Sequence, residues 1–176
     1  MPYAASMLDS ATPNAPVVRH AARAVLLDGR DRVLMLACVD PTRDDAERFW
    51  ITPGGGLHEG EMHDAGLRRE LREELGLADD NLTDLGPWVW HRVITFRWLG
   101  RTLEQHERFR LLRVDRAELD FAGRSEDEHK ALTDHRWFKT DELRELDDKI
   151  APTRLPDLLD DLLTQGPPAE SIDVGV

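Results

Sequence analysis

Three glutamates, Glu70, Glu73 and Glu74, lie within five positions of one another. On a helix that advances about 100° per residue their side chains share about 100° of arc, so like charges crowd one rim. Carboxylate oxygens are the ligands that hard cations such as Mg²⁺ and Mn²⁺ prefer, and a cation would remove the repulsion. The spacing therefore indicates either a divalent-metal site or a solvated acidic face of the helix.

The elements around these acids would place them beside backbone oxygens. A helix is predicted from about Met62 to Leu75, with inward-facing leucines at every fourth position: Leu67, Leu71 and Leu75. Gly76 is placed to end it in a left-handed conformation, with Leu77 making the hydrophobic contact that follows such a cap. Directly before the helix, three glycines follow Pro53, so the backbone there can approach a ligand closely. Loop carbonyls beside clustered carboxylates favour the metal site over the solvated face.

The stretch "GGLHEGEMHDAGLRRELREELGL", residues 55–77, resembles the Nudix box. That pattern is Gly, five residues, Glu, seven residues, Arg-Glu, an aliphatic residue, any residue, Glu-Glu, any residue, Gly and an aliphatic residue. Every specified position is filled here: Gly55, Glu61, Arg69, Glu70, Leu71, Glu73, Glu74, Gly76 and Leu77. The flanking "FWITPGGG" and "HRWFKTDEL" also resemble segments of many members, so the resemblance covers about residues 17–146.

The resemblance implies a fold and a reaction. The fold is an α+β, Nudix-type α/β/α sandwich with a mixed β-sheet and the box as loop-helix-loop. The reaction is Mg²⁺-dependent hydrolysis (Mn²⁺ as the substitute) of a diphosphate linkage in a nucleoside diphosphate derivative or nucleotide. Arg69 and Glu61 would support the site by holding the loop and orienting the acids. The implied metal ligands are Glu70, Glu73, Glu74 and the backbone carbonyl of Gly54.

The general base and the substrate contacts stay open at this point. Glu70 is the first choice for the group that takes a proton from metal-bound water. In some relatives a glutamate from a distant loop does this, and here Glu126 or Glu128 would fill that role or simply lie in an exposed acidic loop. Arg92 and Arg110 are candidates for phosphate contacts, with ordinary strand-face charge as the alternative.

Two other functions use the same fold. One is an isomerase of the isopentenyl diphosphate type, whose members generally carry a degraded box and a catalytic cysteine. The single cysteine here, Cys38, lies in an apolar run and is expected to be buried. The other is a non-catalytic nucleotide sensor, and such modules usually lose box acids that this sequence keeps. The intact box therefore favours the hydrolase.

The composition of the chain limits the kinds of partner that the protein is expected to bind. The chain has 176 residues and a net charge of −12, so bulk binding to nucleic acid is not expected, and a small diphosphate is the expected partner. No apolar run reaches the roughly 18 residues of a membrane helix, and the N-terminus lacks a signal-peptide pattern. Cytoplasmic location without membrane association is expected. Many relatives dimerise, so a homodimer is the open alternative to a monomer.

The chain divides into three predicted parts: a flexible segment at 1–16, a Nudix domain at 17–166 and a C-terminal tail at 167–176. Two hairpins are predicted in the domain, one turning at Asp28-Gly29 and one at Gly100-Arg101. In the second hairpin Trp88, Trp90 and Trp98 alternate, which predicts one shared face of the sheet. These tryptophans would stack on a base or form sheet core.

Overall fold

A computed structural model describes residues 15–82, 84–115 and 118–175. Residues 1–14 of the predicted flexible segment therefore lie outside the described part. Within that part the strands are β1 (Val17–Asp28), β2 (Val33–Cys38), β3 (Phe49–Ile51), β4 (Gly54–Gly56), β5 (Trp88–Trp98), β6 (Arg101–Val114), β7 (Leu132–Phe138), β8 (Lys149–Ala151) and β9 (Ile172–Asp173). The helices are α1 (His63–Leu75), α2 (Glu126–Ala131), α3 (Thr140–Arg144) and α4 (Leu155–Gln165).

The strands form one mixed sheet whose order is β8-β3-β2-β1-β6-β5-β9. The two predicted hairpins are present as β1–β2 and β5–β6, both antiparallel. β1 runs parallel to β6 over its whole length, from Val17 opposite Leu103 to Asp28 opposite Val114. β4, which is the glycine triplet, pairs antiparallel with β1, and β7 pairs with β2. The glycine triplet is therefore fixed to the central strand.

Helices cover both faces of the sheet. Leu67, Leu71 and Leu75 of α1 are fully buried in one core layer, as their spacing predicts. Full burial of each leucine contributes about 2 kcal/mol from apolar surface alone. The second core layer, on the other face, includes leucines of α4, among them Leu158 and Leu162. Gly76 ends α1 in the left-handed conformation, with φ 65°.

The predicted alternation of tryptophans in β5 is wrong at its first step. The ladder to β6 pairs Trp88 with Arg110 but Trp90 with Phe109, so a bulge of one extra residue lies between the two tryptophans. Trp88 consequently packs on the α1 layer, whereas Trp90 is buried in the α4 layer. Alternation of residue types along one strand does not reveal a bulge, because a bulge is defined by the pairing with the neighbouring strand.

The predicted tail carries structure of its own. Ile172–Asp173 adds β9 in parallel beside Trp90 and His91 of β5. Val174 is 1% exposed and belongs to the α4 core layer. Among the described residues no helix is both long and apolar enough to cross a bilayer.

Candidate active site

The backbone of the glycine triplet, residues 54–56, is in direct contact with two of the box acids, Glu70 and Glu74. Gly54 has φ 116°, and a Cβ there would lie 2.2 Å from the carbonyl oxygen of Ala22, so neither the conformation nor the space admits a side chain. At Gly55 a Cβ would lie 2.6 Å from Oε2 of Glu70. The backbone N–H of Gly54 donates to Oε2 of Glu74 at 2.8 Å. The loop is therefore packed directly on the Glu70 and Glu74 carboxylates.

The three box acids differ in their exposure. Glu70 and Glu74 are 8% and 4% exposed. Glu73 points outward, and half of its side-chain surface is accessible. The helix thus presents two carboxylates to the glycine loop and a third to solvent at the rim.

Arg69 connects the predicted site residues. Its Nη2 donates to Oε2 of Glu61 at 2.8 Å and to the carbonyl of Gly56 at 2.9 Å. Its Nη1 donates to Glu70 at 2.6 Å and lies 3.5 Å from Oε2 of Glu73. The planar guanidinium suits several fixed acceptors at once. Arg69 therefore joins the start of the box to its acids, and its supporting role in catalysis stays a prediction.

The carboxyl groups of Glu61, Glu70 and Glu74 have different pKa values, because they differ in burial and in hydrogen bonding. Removal from water raises the pKa of Glu74 to about 8, against the opposing effects of the Gly54 N–H and the charge of Arg23. Burial also raises the pKa of Glu70, and Arg69 only partly offsets it. In contrast, hydrogen bonds from Arg69 lower the pKa of Glu61 to about 2. Glu61 is thus held in its charged form by Arg69, whereas burial disfavours the charged forms of Glu70 and Glu74.

A second arginine reaches the glycine loop from the central strand. Nη1 of Arg23 donates to the carbonyl of Gly54 at 2.6 Å and to that of Thr52 at 3.3 Å. Its charge also favours ionisation of Glu74. The Gly54 carbonyl, a predicted metal ligand, is thus already an acceptor for Arg23. Its metal role stays a prediction.

The candidate acids of the distant loop lie at the start of α2. Ser125 caps this helix through a capping box with Glu128, whose side chain accepts from the Ser125 N–H at 2.7 Å. Glu126 is exposed at the same helix start. Of the two, Glu128 is the acid whose charge raises the pKa of Glu70. Arg124, just before the cap, donates to the backbone carbonyl of Glu74 at 3.0 Å.

The two candidate phosphate-binding arginines are placed differently. Arg92 is 6% exposed, and its Nε donates to Glu107 at 2.5 Å. Arg110 forms an ion pair with Asp64 in the first turn of α1 and lies 5.1 Å over the ring of Trp88. Arg92 is committed to a buried partner, whereas Arg110 borders the N-terminal end of the box helix.

The chemistry of the box acids, but not their spacing in this structure, suits a hard divalent cation. Buried carboxylates with raised pKa values gain from a nearby positive charge, and their oxygens are the donor type that Mg²⁺ and Mn²⁺ select. In residues 15–82, 84–115 and 118–175, no three acidic, histidine or cysteine side chains converge as closely as a bound ion requires. Arg69 instead lies between Glu70 and Glu73.

Comparison with known proteins decides the family. The NUDIX domain family model matches residues 18–159. The chain belongs to the Nudix hydrolase family. The family prediction made from residues 55–77 is therefore confirmed, and the match extends to both sides of the box.

Nudix relatives resemble parts of the chain in sequence and most of it in fold. An RNA pyrophosphohydrolase of Wolbachia pipientis is 31% identical over 114 residues, which are 62% of this chain and 66% of that protein. The nucleoside triphosphatase NudI of Salmonella typhimurium is 32% identical over 104 residues, which are 58% of this chain and 70% of NudI. The chain thus spans about two thirds of the length of these relatives.

Solved structures support the predicted fold. The E. coli ORF135 protein has a TM-score of 0.58 at 20% identity, covering 88% of this chain and 96% of that one. A C. elegans Ap4A hydrolase has a TM-score of 0.54 at 16% identity, covering 84% and 98%. The α+β Nudix sandwich is thereby confirmed.

Arg23 and Arg124 also contact this Nudix site but were not among the residues predicted from the sequence. Arg23 had a visible signal, since a charged side chain inside the apolar run "AARAVLL" needs a buried partner. Arg124 had none, because its contact with Glu74 depends on how the loop before α2 returns to the end of the box helix.

Proposed function

We propose that this protein is a pyrophosphohydrolase that uses Mg²⁺, with Mn²⁺ as the substitute, to cleave a diphosphate linkage with water. The observation that carries the proposal is the packing of the Glu70 and Glu74 carboxylates against the glycine loop. Arg69 ties Glu70 to Glu61 and to that loop. The proposed catalytic domain is residues 17–166.

Glu70, Glu73 and Glu74 would hold the cation, which supplies neutralisation of phosphate charge and a water of lowered pKa. Because Glu70 and Glu74 are buried, water would screen little of their attraction for a bound cation. Arg69 orients Glu70 through a hydrogen bond of 2.6 Å. Glu70, with its raised pKa, is the proposed proton acceptor, and Glu128 is the alternative because its charge acts on Glu70.

The proposed substrate is a nucleotide or a nucleoside diphosphate derivative. One similar protein is named an RNA pyrophosphohydrolase and another a nucleoside triphosphatase. The net charge of −12 favours the free nucleotide, because a long polyanion would be repelled over more of the surface. Arg110, beside Trp88 at the start of the box helix, is the proposed contact for substrate phosphate. Assembly as a homodimer stays a prediction.

The isomerase alternative would require a reactive cysteine. Cys38 is 4% exposed, and burial raises the pKa of its thiol to about 12. A buried thiol of this kind is a poor nucleophile or acid at neutral pH. The hydrolase is therefore the function that the site supports better.

A substrate panel tests the proposal. Purified protein with Mg²⁺ or Mn²⁺ is incubated with nucleoside triphosphates, ADP-ribose, nucleotide sugars, dinucleoside polyphosphates and a 5′-triphosphorylated RNA, and phosphate is measured after phosphatase treatment. We expect hydrolysis of at least one small substrate, abolished by chelator. Hydrolysis of the RNA alone would overturn the proposed substrate class. Absence of hydrolysis across the panel with either cation would overturn the reaction.

The double variant Glu73→Gln/Glu74→Gln tests the site itself. Both substitutions keep the side-chain shape and remove two of the proposed ligand charges. We expect turnover to fall by roughly 100-fold or more. An unchanged rate would show that the reacting groups lie elsewhere. Glu47→Gln is the control, because Glu47 is an exposed acid paired with Lys149.

A further inference from the structure

Four polar side chains form a buried network between β1, β5 and β6: Arg23, Arg92, Gln105 and Glu107. Arg92, Gln105 and Glu107 are buried, with Glu107 at 2% exposure and Arg92 at 6%, and the Arg23 side chain is 11% exposed. Arg92 lies over the ring of Phe109, which belongs to the α4 core layer. Charged groups in such a position need a specific reason, because removing them from water is costly.

Glu107 is the centre of this network. Its Oε1 accepts from Nε of Arg23 at 3.0 Å and from Nε2 of Gln105 at 2.6 Å, and its Oε2 accepts from Nε of Arg92 at 2.5 Å. Each partner is thereby fixed in one orientation. For Arg23 this fixes the guanidinium plane, so its remaining nitrogens point in a defined direction.

The direction in which Arg23 points is toward the glycine loop. Its Nη1 donates to the carbonyls of Thr52 and Gly54, while its backbone pairs with Gly54 across β1 and β4. The next contact along the loop is the Gly54 N–H on Glu74. A continuous path of hydrogen bonds therefore runs from Glu107 through Arg23 and Gly54 to a box carboxylate.

Stability alone does not account for four polar groups at this place. A buried ion-pair cluster can usually be replaced by apolar side chains of similar volume without loss of stability. What apolar side chains cannot supply is a directed donor for the Thr52 and Gly54 carbonyls. The fork of an arginine can bind Glu107 and these carbonyls at once, whereas a lysine ammonium cannot span them.

We propose that Arg23, oriented by Glu107 and Arg92, is a positioning residue that sets the backbone of the glycine loop and thereby the places of the Glu70 and Glu74 carboxylates. It acts through Gly54 and touches neither substrate nor reacting atoms. The inference rests on the proposed function for its consequence in catalysis, but its structural part is testable without it.

The first test is Arg23→Lys, with Arg32→Lys as the matched control. Arg32 pairs with Asp28 at the other end of β1, so the control removes an arginine–carboxylate fork from the same hairpin without touching the glycine loop. Amide hydrogen exchange at Gly54 and Gly55 is followed without metal. We expect Arg23→Lys to accelerate exchange of the Gly54 amide by roughly tenfold or more, and Arg32→Lys to leave it unchanged. Unchanged exchange in Arg23→Lys would overturn the proposal.

The second test replaces the whole network by apolar residues: Arg23→Met, Arg92→Met, Gln105→Leu and Glu107→Leu. Urea unfolding measures the stability of this variant, titration with Mn²⁺ measures cation affinity, and hydrolysis of the panel substrate gives kcat and KM. We expect a folded protein whose Mn²⁺ affinity and kcat are both lower by roughly 10–100-fold, the usual effect of losing a group that supports a metal ligand. A purely structural network predicts wild-type kcat in the folded variant, and that result would overturn the proposal.

The outcomes separate this inference from the proposed function. If the wild type binds Mn²⁺ and hydrolyses a substrate, while the apolar variant keeps both properties within twofold, the function stands and the positioning role fails. If the wild type does neither, the catalytic half of the inference fails with the function. Failure of the apolar variant to fold would show that the network serves stability, against the proposal, unless Arg23→Lys alone shows the accelerated Gly54 exchange.

Discussion

Replacing Glu74 with glutamine is expected to stabilise the metal-free protein at alkaline pH and to abolish hydrolysis. Glu74 is 4% exposed and accepts a hydrogen bond from Gly54, which a glutamine oxygen can also accept. Burial raises the pKa of Glu74 to about 8. Because the folded protein keeps this proton to a higher pH than the unfolded chain does, the stability that Glu74 confers is complete only at acid pH. It is lost progressively as the pH rises from about 4.3, the pKa of an unfolded glutamate, to about 8.

The size of the effect follows from the shift. An unfolded glutamate titrates at a pKa of about 4.3, so a shift to a value near 8 corresponds to about 5 kcal/mol of lost stability at pH 9. The charges of Arg23 and Glu70 also act on Glu74, so the loss is shared among coupled groups and a smaller difference is expected for one substitution. We therefore expect Glu74→Gln to be more stable than the wild type by about 2–3 kcal/mol at pH 9 and by about 1 kcal/mol or less at pH 5, where an unfolded glutamate is already mostly ionised.

Urea unfolding in the presence of chelator measures this difference at both pH values. The difference between the two proteins isolates Glu74, because other titrating groups, such as His63 with its pKa lowered by burial, contribute equally to both. Glu73→Gln is the control, because it makes the same exchange one residue away at a half-exposed side chain instead of a buried one. If Glu74→Gln shows no greater advantage at pH 9 than at pH 5, the burial argument is wrong. Hydrolysis with Mg²⁺ completes the assay, and full activity of Glu74→Gln would refute its role as a ligand.

Three further predictions concern the same region. Glu73→Gln should lower kcat by roughly 100-fold while leaving stability within about 0.5 kcal/mol, because its carboxylate is exposed at the rim; a kcat near that of the wild type would contradict this. Gly55→Ala should displace Glu70, because Oε2 of Glu70 would lie 2.6 Å from the new Cβ, and should reduce kcat by roughly tenfold or more. The control Gly29→Ala, whose Cβ would lie 3.8 Å from the Asp115 carbonyl oxygen, should leave kcat unchanged. Equal kinetics in the two variants would refute the steric argument. Cys38 should resist a thiol reagent in the folded protein and react after unfolding, and Cys38→Ala should keep its hydrolytic rate; rapid labelling of the native thiol would reopen the isomerase alternative.

The box was predictable because its information is local. The leucine spacing at 67, 71 and 75 fixes which face of the helix is buried, and Gly76 fixes where it ends. The observed helix starts at His63, one residue after the predicted start at Met62. Both hairpins were likewise predicted from their turn residues.

The supporting groups were not predictable in the same way. The partners of Arg23 lie 31 positions away at Gly54 and 84 positions away at Glu107, so they are set by the pairing of β1 with β4 and β6. The hydrophobic pattern within one segment does not show which distant strand that segment pairs with. The pKa of Glu74 depends on the same long-range packing, because the loop and the sheet together remove its water.

The extra residue between Trp88 and Trp90 determines which side of the sheet each of these two tryptophans faces. Side chains alternate strictly along a strand, so a slip of one position would exchange the inner and outer sets over its whole length. Downstream of the kink, Arg92 faces Glu107 inside, and Val93 faces solvent. The turn at Gly100 fixes the pairing of β5 from Trp98 back to Trp90, so Arg92 keeps its inward position whatever precedes Trp90. What the extra residue determines is that Trp88 and Trp90, two positions apart, lie in opposite core layers.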